Sequence, residues 1–145
     1  MTLHLIKLCV GCESVESLTE SQRRQAARAE RELGRRFAWH TTRMVPKRMD
    51  ELLDGGSLYW VIKGQVRARE RLLDVREIVD EEGRRACVLE LDPEVVRVQP
   101  RNHRPFQGWR YLQPEKAPPD LADAPEGVEE MPDWMVAELK ELGLL

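Results

Sequence analysis

Ser57-Leu58-Tyr59-Trp60-Val61-Ile62-Lys63-Gly64, SLYWVIKG, is the stretch on which the architecture turns. It is apolar on both alternating faces, so as a strand it belongs in the middle of a sheet with cover on each side. Upstream, PKRMDELLDG predicts a short helix opening at Pro46 and closing at Gly55-Gly56. Downstream, Gln65 to Val75 alternates, with Val66, Ala68 and Leu72 on one side and Arg67, Arg69 and Arg71 on the other. Asp80-Glu81-Glu82-Gly83 predicts a turn, and Arg84–Leu91 and Glu94–Val98 two further strands.

Towards the amino terminus, Thr2–Val10 alternates as a strand, with Leu3, Leu5 and Lys7 facing one way and His4, Ile6 and Leu8 the other. Ser17-Leu18-Thr19-Glu20 has the capping-box form, so a helix is expected from there to Leu33, closed by Gly34. Its outer face would carry Arg23, Arg24, Arg28 and Arg31, and its inner line Val15, Leu18, Ala26, Ala29 and Leu33. Phe37–Met44 reads as another strand. Short strands in mixed order with few helices predict an α+β fold, a small mixed or antiparallel curled sheet with flanking helices.

With 145 residues, 41% of them apolar and 34% charged, the chain suits one folded domain. That domain is expected over 1–113, followed by an acidic, proline-rich linker over 114–131 and a last helix over 132–145. The net charge of −3 hides an asymmetry: residues 1–113 hold 21 Lys and Arg against 17 Asp and Glu, residues 114–145 only 2 against 9. No apolar run approaches the length needed to cross a bilayer, and the first residues do not form a signal peptide, so a cytoplasmic protein without a membrane partner is expected. Cys9, Cys12 and Cys87 are too few for a disulfide framework. Cys9-Val10-Gly11-Cys12 is read as two small buried hydrophobes in preference to a zinc or redox pair, because a structural zinc needs four ligands and only Cys87 and the scattered His4, His40 and His103 remain.

The segment Arg97–Tyr111, RVQPRNHRPFQGWRY, gathers four arginines, a histidine and three aromatics. Together with Arg43, Lys47 and Arg48 and the stripe Arg67, Arg69 and Arg71, its Arg101, Arg104 and Arg110 suggest a cationic surface. Tyr59, Trp60, Phe106, Trp109 and Tyr111 lie among these cations in sequence. Proteins that grip single-stranded nucleic acid combine the two elements, rings stacking on bases and guanidinium groups taking phosphates. The expected function is therefore an RNA- or nucleotide-binding module, with Tyr59, Phe106 or Trp109 as the stacking ring. Two rivals stand beside it. One is a small hydrolase of a modified base or nucleoside using Thr42, Lys47 and Glu51, or His40, in catalytic roles. The other is an interaction protein whose acidic tail engages a partner or folds back on the basic body. No glycine-rich phosphate loop or catalytic signature is present, so no cofactor and no metal are expected.

The blocks MTLHLIKLCVGC, HTTRMVPKR, DELLDGGSLYWVIKG and RPFQGWRYL resemble domain-of-unknown-function family 1489, over nearly everything up to about Leu121. That family brings no residue roles with it. The helix and double glycine leading into SLYWVIKG are more distantly similar to the PUA-like superfamily, with its ASCH and EVE branches, although Asp54-Gly55-Gly56 replaces the usual order of its turn. This second resemblance implies a pseudobarrel that binds RNA or modified bases in a cleft.

Overall fold

In the computed structural model of the chain, residues 1–123 and 141–142 are described. Strand β3 (Ser57–Ile62) is buried along its whole length, as its two apolar faces require. It pairs in parallel with β1 (His4–Leu8) and antiparallel with β4 (Gln65–Val79). Lys63 and Gly64, at φ 51° and 80°, make the two-residue turn between β3 and β4, the conformation that matches the twist of the strands. Between β1 and β3 the chain runs through α1 (Val15–Leu33), β2 (Ala38–Thr42) and α2 (Met49–Leu52); after β4 come β5 (Arg85–Leu91), β6 (Val96–Asn102) and β7 (Trp109–Leu112). The sheet order is β2-β5-β4-β3-β1-β7. β6 lies along the first half of β4 and β5 along the second, so this one long strand serves two neighbourhoods. The fold is the α+β curled mixed sheet that the sequence implies.

The curl is held by side chains where no ladder joins the two edges. The Trp109 indole N–H on β7 donates to the Met44 carbonyl at 2.7 Å, just past β2. The Tyr111 hydroxyl accepts from the backbone N–H of Lys47 at 2.9 Å and of Arg48 at 3.2 Å. Across the interior, His40 of β2 meets the ring of Trp60 of β3 edge-on at 5.2 Å. Inside the curl lies the larger core, built on Leu5, Leu58, Trp60, Leu89, Leu91 and Trp109 and closed by Val15 and Leu18 of α1. Outside it, Ile6, Tyr59, Val61, Val66, Val98 and Phe106 form a second core.

Several expectations are corrected. Val66, Ala68 and Leu72 do not share a face: Trp60 pairs with Ala68 but Val61 with Val66, which leaves Arg67 as an extra residue. That bulge sends Val66 to the second core and Ala68 and Leu72 to the first. Helix α1 starts three residues early, because Ser14 and Ser17 cap each other and a hydroxyl at the third helical position substitutes for the expected Glu20. Leu33 is 67% exposed, while Gln22 takes a buried place on the inner line. The short helix starts at Met49, not Pro46.

The carboxyl-terminal expectations change as well. Sequence reading missed β7 and ended β6 too soon. Residues 114–123 are not an extended linker but two 3₁₀ turns folded on the sheet, with Pro118 and Leu121 buried and Gln99 N–H donating to the Pro119 carbonyl. The remainder of the acidic segment and nearly all of the expected last helix lie outside the described residues. Cys9 and Cys12, read as separate hydrophobes, are joined in a disulfide with Cα atoms 5.5 Å apart. Closing so short a loop stabilises a fold by only about 2 kcal/mol in the chain-entropy account.

Gly56 is the tightest point. A Cβ there would lie 2.2 Å from the Leu3 carbonyl oxygen and 2.3 Å from that of Leu52, both fixed backbone. Gly56→Ala is expected to cost more than about 3 kcal/mol in urea unfolding, or to prevent folding. Gly64→Ala, with open space around it but a positive φ, should cost about 1–2 kcal/mol. Equal losses at the two positions would show that the approach of β1 to α2 is not the constraint.

Candidate nucleotide-binding groove

Strand alternation places Arg35, Phe37 and Trp39 on one side of β2 and its approach, Val88 and Glu90 on one side of β5, and Arg76 and Ile78 on one side of β4. These residues face outwards, opposite the inner core, and with Arg28, Glu32 and Leu33 at the end of α1 they line a groove of about 720 Å³. A groove of that size suits a nucleotide-sized ligand. Arg35 lies over the Phe37 ring at 4.7 Å, and Phe37 and Trp39 are 6.0 Å apart. Glu90, buried, accepts from Arg35 at 3.1 Å and from Arg76 at 3.0 Å. The carboxylate fixes two guanidinium groups side by side while each keeps further N–H donors. Arg28 is paired with Glu32 at 3.2 Å. Trp39 is half-buried, held by its own backbone N–H on the Gln25 side chain at 3.0 Å, and its indole N–H has no hydrogen bond among the described residues.

The residues expected from the sequence do not form one surface. Arg43 and Lys47 line a hollow of about 430 Å³ with Glu77 and Arg85, and Arg43 is ion-paired with Asp80. Arg48 is paired with Glu51 and sits 5.6 Å from the Tyr111 ring centre. Tyr59 and Arg69 share a cleft of about 360 Å³ with His4, Ser57 and Asp120. There Arg69 donates to both Asp120 oxygens, at 2.7 and 2.8 Å, and to Ser57 Oγ at 3.1 Å. The hydrogen bond from Arg69 holds the Asp120 carboxyl below its ordinary range. Arg67 is bound to Gln65, Arg71 stands exposed at the Ser57 register position, and Arg101 donates to the Lys116 carbonyl at 2.5 Å. Arg104 is exposed on the loop before β7.

The three rings expected to stack on bases offer no open face. Tyr59 is 5%, Trp109 6% and Phe106 8% exposed, and Phe106 is further flanked by Arg110 at 4.9 Å and the His103 ring at 4.9 Å. Apolar burial claimed them. Of the hydrolase set, Lys47 alone lines the corner hollow; Thr42 is buried with its hydroxyl on the Met44 carbonyl, and Glu51 is ion-paired. His40 packs on Trp60, and burial, helped by Lys7, pushes its pKa down to about 4. Trp39, Arg28, Arg35 and Arg76 were not among the sequence candidates as binders. The pattern Arg35-x-Phe37-x-Trp39 was the signal available, since period two places all three on one face.

The model of the family described as protein of unknown function (DUF1489) matches residues 5–145. The chain belongs to that family. No curated protein and no solved structure matches it. Among the described residues of this DUF1489 chain, no three His, Cys, Asp or Glu side chains gather where they would hold a metal ion. No helix among the described residues is long and apolar enough to cross a membrane.

One further titratable group of the DUF1489 chain stands inside the curl. Glu70 is 0% exposed; one oxygen accepts from Gln22 at 2.6 Å and from the Trp60 indole N–H at 2.9 Å, and the other has no partner among the described residues. Burial pushes its pKa up to about 7 against the pull of those two hydrogen bonds. The folded chain thus keeps a proton that the unfolded chain releases near 4.5. Stability is full below that value and falls as pH rises towards 7, by about 3 kcal/mol across the window. Glu70→Gln, which keeps the acceptor oxygen and cannot ionise, should flatten the slope. Urea midpoints at pH 5 and pH 8 check this, and an unchanged slope in the variant would assign it to other groups.

Proposed function

We propose that this protein binds a nucleotide or single-stranded RNA in the groove beside Trp39. The observation that carries the reading is the half-buried Trp39 indole lining one groove with Arg35 and Arg76 of the sheet and Arg28 of α1. A base stacks on the ring and phosphates meet the guanidinium groups, the two elements that sequence-tolerant binding needs. Glu90 supports this role by orienting Arg35 and Arg76 without using all their donors. It also lowers the net positive charge, so affinity for the backbone alone is modest. The PUA-like kinship suggested by the double glycine is part of the same reading.

With three phosphate contacts, log affinity for single-stranded RNA is expected to fall by about 2 per tenfold rise in salt. Trp39→Ala should weaken binding at least about tenfold, and Arg35→Ala with Arg76→Ala should flatten the salt slope. Fluorescence titration of labelled oligonucleotides at two ionic strengths measures all three. Absence of binding in dilute salt, or an unchanged affinity in Trp39→Ala, overturns the reading.

A further inference from the structure

The turn between β1 and α1 carries a feature that the groove does not use, the bond between Cys9 and Cys12. The surrounding fold is secured without it. Cys9 N–H donates to the Val61 carbonyl at 2.9 Å, continuing the pairing of β1 with β3. Helix α1 is started by the reciprocal caps of Ser14 and Ser17 and anchored by buried Val15 and Leu18. A bridge across a sequence separation of 3 closes a short loop, which restricts the unfolded chain little. Its structural contribution is small for a feature that needs two cysteines.

Its surroundings fit chemistry better. Both half-cystines are half-buried, packed at the margin of the inner core, and between them Val10 is 88% exposed and Gly11 is exposed, so the bond lies in a turn at the protein surface. Cys12 lies just ahead of the first turn of α1, where the positive end of the helix favours a thiolate. Cys87, the third cysteine, is buried in the inner core and has no bonded partner. Burial, with Glu77 adding to it, pushes its thiol up to about 11, so it supplies an inert internal comparison.

We propose that Cys9 and Cys12 are a redox-active pair that exchanges with low-molecular-weight thiols of the glutathione class. A thiolate of the small molecule attacks Cys9 Sγ; the Cys9–Cys12 bond breaks and its electron pair leaves on Cys12, whose thiolate takes a proton from water. A second thiolate then attacks the small-molecule sulfur of the mixed disulfide, releasing Cys9 in the same way. Two electrons and two protons pass to the protein, and the small thiols depart as their own disulfide. Oxidised glutathione reverses the sequence.

The full chain, equilibrated across ratios of reduced to oxidised glutathione and trapped with iodoacetamide, tests this by mass. Labels should rise from none to two as the ratio becomes reducing, return to none on reoxidation, and leave tryptophan fluorescence native throughout. A third label, on Cys87, should require denaturant. Cys12→Ser should collect one glutathione on Cys9. The proposal is overturned if two labels enter even under fully oxidising conditions, if reduction occurs only with unfolding, or if Cys12→Ser collects no glutathione. Trp39→Ala should leave the labelling and glutathione masses unchanged, so the exchange reaction and the RNA reading stand or fall separately.

Discussion

The arrangement depends on two side chains doing what a strand ladder does in a closed barrel. Trp109 and Tyr111 project from β7 into the inner core and place their polar ends on the backbone of residues 44–48 beyond β2. The rings bury apolar area while their N–H and O–H groups satisfy peptide groups that the missing ladder would otherwise leave open. With the two ends so connected, the sheet is bent rather than flat. Bending separates an inner face, filled by Trp60, Leu58 and Leu89, from an outer face that carries charge and the Trp39 groove.

Burial and pairing then decide which of the many arginines are available. Arg43, Arg48 and Arg69 are committed to Asp80, Glu51 and Asp120, and the last of these is a two-pronged pair in a partly enclosed cleft. Exposed pairs of this kind add little stability, but each limits what its guanidinium can offer a ligand. At the groove one buried carboxylate, Glu90, is shared by Arg35 and Arg76, while Arg76 also donates to Asp74 and Arg28 pairs with Glu32. Removing that carboxylate's partners one at a time would leave a buried charge exposed to its own desolvation, which is why the cluster holds its shape.

Much of the frame was legible in the chain and most of the site was not. SLYWVIKG identified the central strand because both of its faces are apolar, a property local to six residues. The strand following it was found, but its bulge at Arg67 was not, since period two gives no hint of one extra residue. β7 escaped because Trp109 and Tyr111 are separated by Arg110, and in a segment dense with cations the rings read as ligand-facing when they are core. Trp39 escaped for the opposite reason. It sits in a strand that was recognised, yet whether an alternating face looks inward or outward depends on β5 and α1, which come from distant parts of the chain. Sequence spacing determines which side chains stand together, whereas tertiary packing determines which side of the sheet meets water.

The extra residue at Arg67 has a consequence for how this chain can vary. Since Val66 and Ala68 serve opposite cores on either side of one irregularity, the number of residues between Gln65 and Leu72 behaves as a parity rule. Losing one residue there would turn every later side chain of β4 through the sheet, exchanging Glu70 with its charged neighbours and carrying Arg76 off the groove. The turn at Asp80–Gly83, by contrast, lies beyond the last paired residues and can change length without inverting anything. Insertions and deletions in natural variants should accordingly gather at the second place and avoid the first.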